Sequence, residues 1–448
     1  MIGIYMFLTA LILLLVGFPV AFTFAGVALV FGIYAEGFSE GIDGTIIEHF
    51  MQGIAFFDML PFRINAIMEN TILMAVPLFI FMGIILQKTK LAEQLLESMG
   101  VLFGSVRGGL AISTILVGTL LAASTGVVGA SVVAMGVISL PIMLKYGYCK
   151  QLATGTICAS GTLGQIIPPS IVLIILGDVL GVPVGDLFKA AVLPGLILVG
   201  SYIAYVLIVS YLKKDVAPAM PYDTSKPKIH QIIKAFQAII PPLLLIVIVL
   251  GSIFAGIATP TESSAIGGIG AILLALFYRQ FSFKILIDSS LETVKITAMV
   301  FAILIGATAF SMVFSYTGGE ELVEEFMTTL PGEKWGFLIL VMLIIMILGF
   351  FIDFVEISFI IIPILYPIAE SLGMDMIWFG ILIAMNLQTS FLTPPFGFAL
   401  FYLKGVAPAS VKTLDIYKGV IPFILIQIAV LASLIVFPGW YGFSAFGS

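Results

Sequence analysis

Two stretches of this sequence decide the fold: LPIMLKYGYCKQLATGTICASGTLGQIIPPS at 140–170 and YPIAESLGMDMIWFGILIAMNLQTSFLTPPF at 366–396. The second stretch lies over the first at a constant shift of 226 residues, without gaps. Four features coincide at that shift: a proline, an isoleucine, a glycine and a Pro-Pro pair. Chance similarity in an apolar chain would rarely keep several helix-breaking residues at one spacing. The pattern therefore predicts an internal repeat.

Around these stretches the chain is too apolar for a water-soluble protein. Of its 448 residues, 61% are hydrophobic and 10% are charged, whereas a soluble domain carries about a quarter charged residues. Most of the apolar runs approach or exceed the roughly 20 residues that a membrane-spanning helix needs. The sequence therefore predicts an all-α polytopic membrane protein in contact with a lipid bilayer.

The same composition excludes several functions. A net charge of −6 without a basic stripe argues against nucleic acid as a partner. No G-x-x-x-x-G-K-[ST] motif is present, so we expect no nucleotide binding. Two cysteines and two distant histidines supply neither a zinc site nor a catalytic dyad, so we expect no enzyme and no covalent cofactor. Energy must come from an ion gradient or from a partner.

Each repeat contains a run that is too long for one span, followed by a proline-broken helix. We predict a re-entrant hairpin at about 109–144 and a broken helix at about 151–177, and their counterparts at about 336–369 and 376–403. The predicted domains are a first repeat at 1–212, a linker at 213–235 and a second repeat at 236–448.

Charges around the hairpins indicate that the repeats have inverted topology. Five basic residues against two acids lie around the ends of the first hairpin, and seven acids against one lysine around the second. Because cytoplasmic loops are enriched in Lys and Arg, the first hairpin should open to the cytoplasm and the second to the exterior. The Lys-rich linker should also be cytoplasmic. Inverted repeats with broken helices near the bilayer midplane are typical of secondary transporters.

Oxygen-bearing residues concentrate at the breaks and at the hairpin tips. Unwound backbone frees carbonyl oxygens, and carbonyls and hydroxyls suit a hard cation such as Na⁺. The predicted ion-binding residues are Ser124, Thr125, Gly126, Gly129, Ser131, Gly161, Thr162 and Gly164 in the first repeat, and Asp353, Glu356, Asn386, Thr389, Thr393 and Gly397 in the second. Small residues that only permit close helix packing are the alternative explanation.

The remaining residues of the broken helices are candidates for an anionic substrate. The breaks contain no Lys or Arg, so a carboxylate would be held by backbone N–H groups, hydroxyls, amides and bound cations. The predicted substrate-binding residues are Gln165, Pro168, Pro169, Ser170, Gln388, Ser390 and Pro394.

Asp353 and Glu356 lie in GFFIDFVEISF, without a basic residue in that hairpin. A carboxylate at membrane depth costs several kcal/mol unless it is paired or hydrated. Asp353 could compensate a bound cation, carry a proton, or lie in external water. Glu262, in ATPTESSAIG at 258–267, starts an apolar run, so an acid in a first helical turn is sufficient explanation for it.

The motifs GTLGQIIPPSI (161–171), ATPTESSAIG (258–267) and TPPFG (393–397) resemble the large, DctM-like membrane subunit of tripartite ATP-independent periplasmic (TRAP) transporters. The resemblance extends essentially end to end. The form NLQTSFLTPPFGFALFYLKGVAP (386–408) is similar to the mannitol/chloroaromatic branch, which is associated with 2-oxo acids and other monocarboxylates.

The resemblance implies an elevator-type ion-transporter fold in the bacterial inner membrane. It implies Na⁺-coupled uptake of a small organic acid anion delivered by a periplasmic binding protein, and a small membrane subunit as a separate chain. A proton-coupled anion transporter without a binding protein and an ion channel remain as alternatives. A channel would not need two occluding hairpins.

Overall fold

The computed structural model describes residues 1–38, 45–89, 91–219 and 228–446, and most of these residues are helical. The first half contains α1 (Ile2–Val16), α2 (Val20–Gly37), α3 (Ile46–Ala55), α4 (Leu60–Met68), α5 (Ala75–Lys88), α6 (Leu91–Phe103), α7 (Gly109–Thr125), α8 (Val128–Lys145), α9 (Lys150–Thr162), α10 (Ile171–Val179) and α11 (Val184–Leu212).

The second half continues the pattern. It contains α12 (Lys228–Phe254), α13 (Pro260–Phe277), α14 (Phe283–Tyr316), α15 (Gly319–Thr328), α16 (Lys334–Leu348), α17 (Phe354–Ser371, with a π-helical turn at Ile357–Ile361), α18 (Met376–Leu392), α19 (Phe398–Val406) and α20 (Thr413–Val436). Eight helices of the described residues are long and apolar enough to cross a membrane. The prediction of an all-α polytopic membrane protein is confirmed.

The helix boundaries follow the spacing seen in the sequence. The first residues of α7, α8, α9 and α10 are separated from those of α16, α17, α18 and α19 by 225, 226, 226 and 227 residues. The domain boundaries and the inverted orientation of the two halves stay predictions. Of the predicted linker, residues 220–227 lie outside the described residues.

Helices α7 and α8 form a hairpin whose open ends meet. The backbone N–H of Leu110, in the first turn of α7, donates to the hydroxyl of Tyr148, just after α8, at 3.2 Å. At the tip, α7 ends at Gly126, whose φ of 61° is a left-handed conformation that favours glycine, and Val127 begins the return. Helices α16 and α17 form the second hairpin, with a longer tip from Gly349 to Asp353.

Each broken helix is enclosed by the hairpin that precedes it. Helix α9 packs against both α7 and α8, and α18 packs against α16. Each hairpin also contacts the broken helix of the other half, because α8 packs on α19 and α17 packs on α10. These contacts join the hairpins and broken helices of the two halves into one body.

The other helices of the first and second halves pack on each other around this body. Helix α14 packs along α2 and α5, and α13 packs along α5. The predicted structural role of Glu262 is confirmed, because its carboxylate accepts hydrogen bonds from the backbone N–H and the hydroxyl of Thr259, at 2.8 and 2.9 Å. The two residues form a capping box at the start of α13.

Two short amphipathic helices, α3 and α15, are features that the sequence analysis did not predict. Their apolar residues lie on one face instead of forming a continuous run, so a search for spans misses them. Helix α3 begins with a capping box in which the backbone N–H of Thr45 donates to the Glu48 carboxylate at 2.6 Å. This bond lowers the pKa of Glu48.

The charge asymmetry generates a topology prediction. We expect Lys214→Cys, after α11, to be protected in intact cells from a membrane-impermeant thiol reagent, and Glu321→Cys, in α15, to be modified. Both positions are exposed. The background carries Cys149→Ser, since Cys149 is only partly buried, whereas Cys158 is buried. Modification at position 214 with protection at position 321 would overturn the inverted model.

Candidate functional site

The first cluster of predicted residues lies where the first hairpin closes on α9. A Cβ atom at Gly161 would lie 2.3 Å from a methyl group of Val132 in α8, and one at Gly164 would lie 2.4 Å from the carbonyl oxygen of Ala122 in α7. No larger residue fits at either position without a shift of the hairpin. The backbone of the broken helix therefore approaches both arms of the hairpin directly.

The tip of the first hairpin reaches the far side of the break. A Cβ atom at Gly126 would lie 2.6 Å from the side chain of Ile171, the first residue of α10. Gly129 faces α19 instead: a Cβ atom at Gly129 would lie 2.9 Å from the ring of Tyr402 in α19. Ser131 is buried in the first turn of α8. The side chains of Ser124 and Thr125 lie outside the described residues.

The hydroxyl groups near the first break bond to their own helix. Ser160 and Thr162 each donate, at 3.0 Å, to a backbone carbonyl three residues earlier. Both residues are fully buried. A hydroxyl that donates its hydrogen bond to a helix carbonyl still has oxygen lone pairs that can accept from another partner. The two oxygens are thus suited to accept from a donor or to coordinate a cation.

The second break repeats this arrangement. Thr389, Ser390 and Thr393 donate to carbonyls three or four residues earlier, at 2.7–2.8 Å. The side-chain amide of Asn386 donates to the carbonyl of Met342 in α16 at 2.6 Å, which ties α18 to the second hairpin. Hydroxyl oxygens with their protons committed therefore flank both breaks.

After the second break the chain makes a tight turn. The backbone N–H of Gly397 donates to the carbonyl of Thr393 at 3.0 Å. A Cβ atom at Gly397 would lie 2.7 Å from the carbonyl oxygen of Phe391. Pro394 lies inside this turn, and both Pro-Pro bonds, 168–169 and 394–395, are cis.

Asp353 has a structural partner that the sequence did not reveal. Its carboxylate accepts a hydrogen bond from the backbone N–H of Phe354 at 2.6 Å and caps the N-terminus of α17. The sequence analysis did not predict this cap, and the three roles considered for Asp353 remain open. A carboxylate at a helix N-terminus is stabilised by the helix dipole, and among the described residues this bond occupies one of the two oxygens of Asp353.

Glu356 follows one turn later and is 5% exposed. One of its carboxylate oxygens has no hydrogen-bond partner in the part of the chain that the structure describes, and neither does the hydroxyl of Ser358. Asp353 is close enough to Glu356 for the two carboxylates to interact electrostatically. In the described ranges, the ion pairs are Lys88–Glu292 and Asp186–Lys189, so neither tip acid has a cationic partner there.

The predicted substrate residues of the first break divide into two kinds. Ser170 is the N-cap of α10: its hydroxyl donates to the carbonyl of Gln165 at 2.7 Å and accepts the N–H of Leu173 at 3.4 Å. The Gln165 side chain is fully buried, and neither of its amide atoms has a partner among the described residues. Pro168 and Pro169 form the bend between them.

The two faces of α18 have different neighbours. Ser390 approaches Gly349 at the end of α16, so Asn386 and Ser390, four residues apart, share the face toward the second hairpin. Gln388 lies on another face, beside the hydroxyl of Tyr202 from α11. The structure thus brings Asn386 and Ser390 to the hairpin and places Gln388 elsewhere.

No group of three or more His, Cys, Asp or Glu side chains that could hold a metal exists within the described ranges. A cation at the breaks would therefore be held by hydroxyls, backbone carbonyls and at most the two acids of the second hairpin. Such hard oxygen ligands suit an alkali cation better than a transition metal.

A small apolar crevice lies between α1, α2 and the second hairpin, lined by residues such as Phe24 and Ile352. None of the predicted site residues lines it. Its walls offer no polar partner for an anion, so we do not assign it to the substrate.

Comparison with known proteins identifies the family. The family model described as "Tripartite ATP-independent periplasmic transporter, DctM component" matches residues 7–440. The C4-dicarboxylate TRAP transporter large permease protein DctM of Pseudomonas aeruginosa is 33% identical over 384 residues, which cover 84% of this chain and 88% of that protein. The sialic acid TRAP transporter large permease protein SiaM of Vibrio cholerae is 29% identical and covers 95% of this chain and 94% of its own length.

A solved structure supports the fold. The YdaH transporter of Alcanivorax borkumensis superimposes with a TM-score of 0.62 and 14% sequence identity, covering 93% of this chain and 97% of that chain. At this identity the likeness concerns the fold alone. The family match and the C4-dicarboxylate relative carry the conclusion: this chain belongs to the DctM component family of tripartite ATP-independent periplasmic transporters, and it is a multi-pass inner-membrane transport protein and not an enzyme.

Proposed function

We propose that this chain is the permease of a Na⁺-coupled secondary transporter that takes up a small organic acid anion. A periplasmic binding protein would deliver the anion, and a small membrane subunit would be a separate chain beside this one. Membership of a tripartite family supports both partners. The hairpins and broken helices would move together as an elevator against the remaining helices.

The hydroxyl oxygens at both breaks are the observation that carries Na⁺ coupling. At each break, hydroxyls that are buried, or partly buried in the case of Thr393, donate their protons to their own helix and keep lone pairs. Na⁺ is a hard cation that is coordinated by such oxygens together with unwound backbone carbonyls. Asp353, whose carboxylate uses one oxygen as a helix cap, would supply compensating charge at the second break.

An organic acid fits the polar groups that remain. The breaks contain no Lys or Arg, so the carboxylate would be bound by backbone N–H groups at the starts of α10 and α19, by the Gln165 amide and by the bound cations. The two relatives named above are named for C4-dicarboxylates and for sialic acid, which are both carboxylates.

Proton coupling is a second candidate, and Glu356 favours it. Glu356 is 5% exposed, lies near a second carboxylate and has no cationic partner in the described chain, an arrangement that suits a proton-carrying group in a transporter. In that case a proton gradient, not a sodium gradient, would drive uptake.

Uptake into proteoliposomes tests the proposal. The complete transporter, with its small subunit and binding protein, is reconstituted, and labelled organic acids are offered under an imposed Na⁺ gradient. We expect uptake that stops when the gradient is dissipated with a Na⁺ ionophore. Uptake driven by a pH gradient in Na⁺-free buffer would favour the second candidate and contradict the first.

Thr162→Val and Thr393→Val test the hydroxyl ligands. We expect each variant to raise the Na⁺ concentration for half-maximal uptake by about fivefold to tenfold, since one ligand oxygen is lost and the volume is nearly unchanged. Thr293→Val is the matched control, because Thr293 in α14 is also buried and bonds its own helix at 2.8 Å. Equal Na⁺ activation curves for all three variants and the parent would exclude these oxygens.

Asp353→Asn distinguishes the roles of the tip acid. The amide oxygen can still accept the N–H of Phe354, so α17 keeps its cap while the charge is lost. If the carboxylate compensates the cation, half-maximal uptake will need at least several-fold more Na⁺. If Asp353 carries a proton, the pH dependence of uptake will change while the Na⁺ dependence stays. If the Na⁺ dependence and the pH dependence of uptake both stay as in the parent, Asp353 serves only as a helix cap.

A further inference from the structure

Three buried polar side chains meet behind the second broken helix, on the side away from the hairpin. Tyr202 comes from α11, Gln388 from α18 and Gln427 from α20, and each is 0% exposed. Only Gln388 was a predicted site residue. The three parent helices pack on one another pairwise, so the cluster occupies their common core.

The contacts centre on the hydroxyl of Tyr202. This hydroxyl lies close enough to the side chains of Gln427 and Gln388 for both to interact with it. The contacts are loose, since neither amide nor the hydroxyl meets the distance and angle of a normal hydrogen bond. The Tyr202 ring is held in place by Phe423 of α20, edge to face at 5.0 Å.

The surroundings give these groups few other partners. A buried amide or hydroxyl without a polar neighbour costs free energy in a membrane-embedded core, so even loose polar contacts among these three side chains stabilise their arrangement. Neighbouring residues such as Phe423 are apolar and buried. The hydroxyl can donate to one glutamine oxygen and accept from the other amide nitrogen at the same time.

We propose that Tyr202 and Gln427 are positioning residues that hold Gln388 and thereby fix the rotation of α18 about its axis. Asn386 and Ser390 lie on the hairpin face of the same helix, within two residues of Gln388. Because α18 is a rigid helix, a rotation about its axis that moves Gln388 also moves Asn386 and Ser390. The polar joint, formed by Tyr202, Gln388 and Gln427, therefore sets how the oxygens of the second break face the hairpin. This inference rests on the proposed function of that break.

Tyr202→Phe tests the joint, and Tyr205→Phe is its matched control. Both tyrosines belong to α11 and pack edge to face on Phe423, at 5.0 and 5.1 Å, but Tyr205 is only half-buried. We expect Tyr202→Phe to raise the Na⁺ concentration for half-maximal uptake by about fivefold, because it removes the hydroxyl on which the polar contacts of the joint centre. Tyr205→Phe should leave it unchanged. Equal effects of the two variants would overturn the proposal.

A second readout does not depend on the coupling ion. Thr393→Cys, at the end of α18, is labelled with a small thiol reagent in the Cys149→Ser background. We expect Tyr202→Phe to change the labelling rate and Tyr205→Phe to leave it as in the parent. If the labelling rate changes but uptake by the parent does not depend on Na⁺, the joint exists and the proposed Na⁺ coupling is wrong. An unchanged rate would show that the joint does not position α18.

The double variant Tyr202→Phe/Gln427→Leu separates positioning from general stability. If the two side chains act together, the second substitution should add little to the change in half-saturation that the first one causes. The melting temperature of each purified variant is measured beside it. Fully additive changes in half-saturation, or a lowered melting temperature with parental half-saturation, would assign both residues to core stability alone.

Discussion

A membrane helix that breaks exposes backbone N–H and C=O groups where no water can bond them, and the rest of this structure depends on how those groups are enclosed. Each break here is covered by the hairpin that precedes it in the chain and touched by the hairpin of the other half. Glycines make this possible: a side chain at Gly161 or Gly164 would collide with the hairpin. The enclosure explains why glycine and proline are abundant in an otherwise helical chain.

The enclosure also determines which polar groups remain for chemistry. Hydroxyls near the breaks donate to their own helices, which leaves their oxygens as acceptors, and those of Ser160 and Ser390 lie against Gly118 and Gly349 of the hairpins. Acceptors without nearby basic side chains attract a cation, and a bound cation in turn attracts an anion.

Helix α18 shows how one element connects these requirements. One face bonds the second hairpin through Asn386, and another meets Tyr202 and Gln427 in the core. The sequence places Asn386, a predicted ion-binding residue, close to Gln388 and Ser390, predicted substrate-binding residues, in one polar segment. Helical geometry separates them, since residues two apart point to different faces and residues four apart share one. Tyr202 and Gln427 escaped notice because each is a single polar residue in an apolar run far along the chain.

Hydropathy along the sequence predicted an all-helical membrane protein, which the structure confirms, and the 226-residue spacing of glycine and proline reappears within one residue in the helix starts of the two halves. Those features are local, because hydropathy and helix breaking depend on a residue and its near neighbours. Only the tertiary structure decided that Asp353 caps a helix, that Ser170 caps another, and that Gln388 faces a distant tyrosine. The last of these contacts joins residues 186 positions apart, and no local pattern records which helices will pack together.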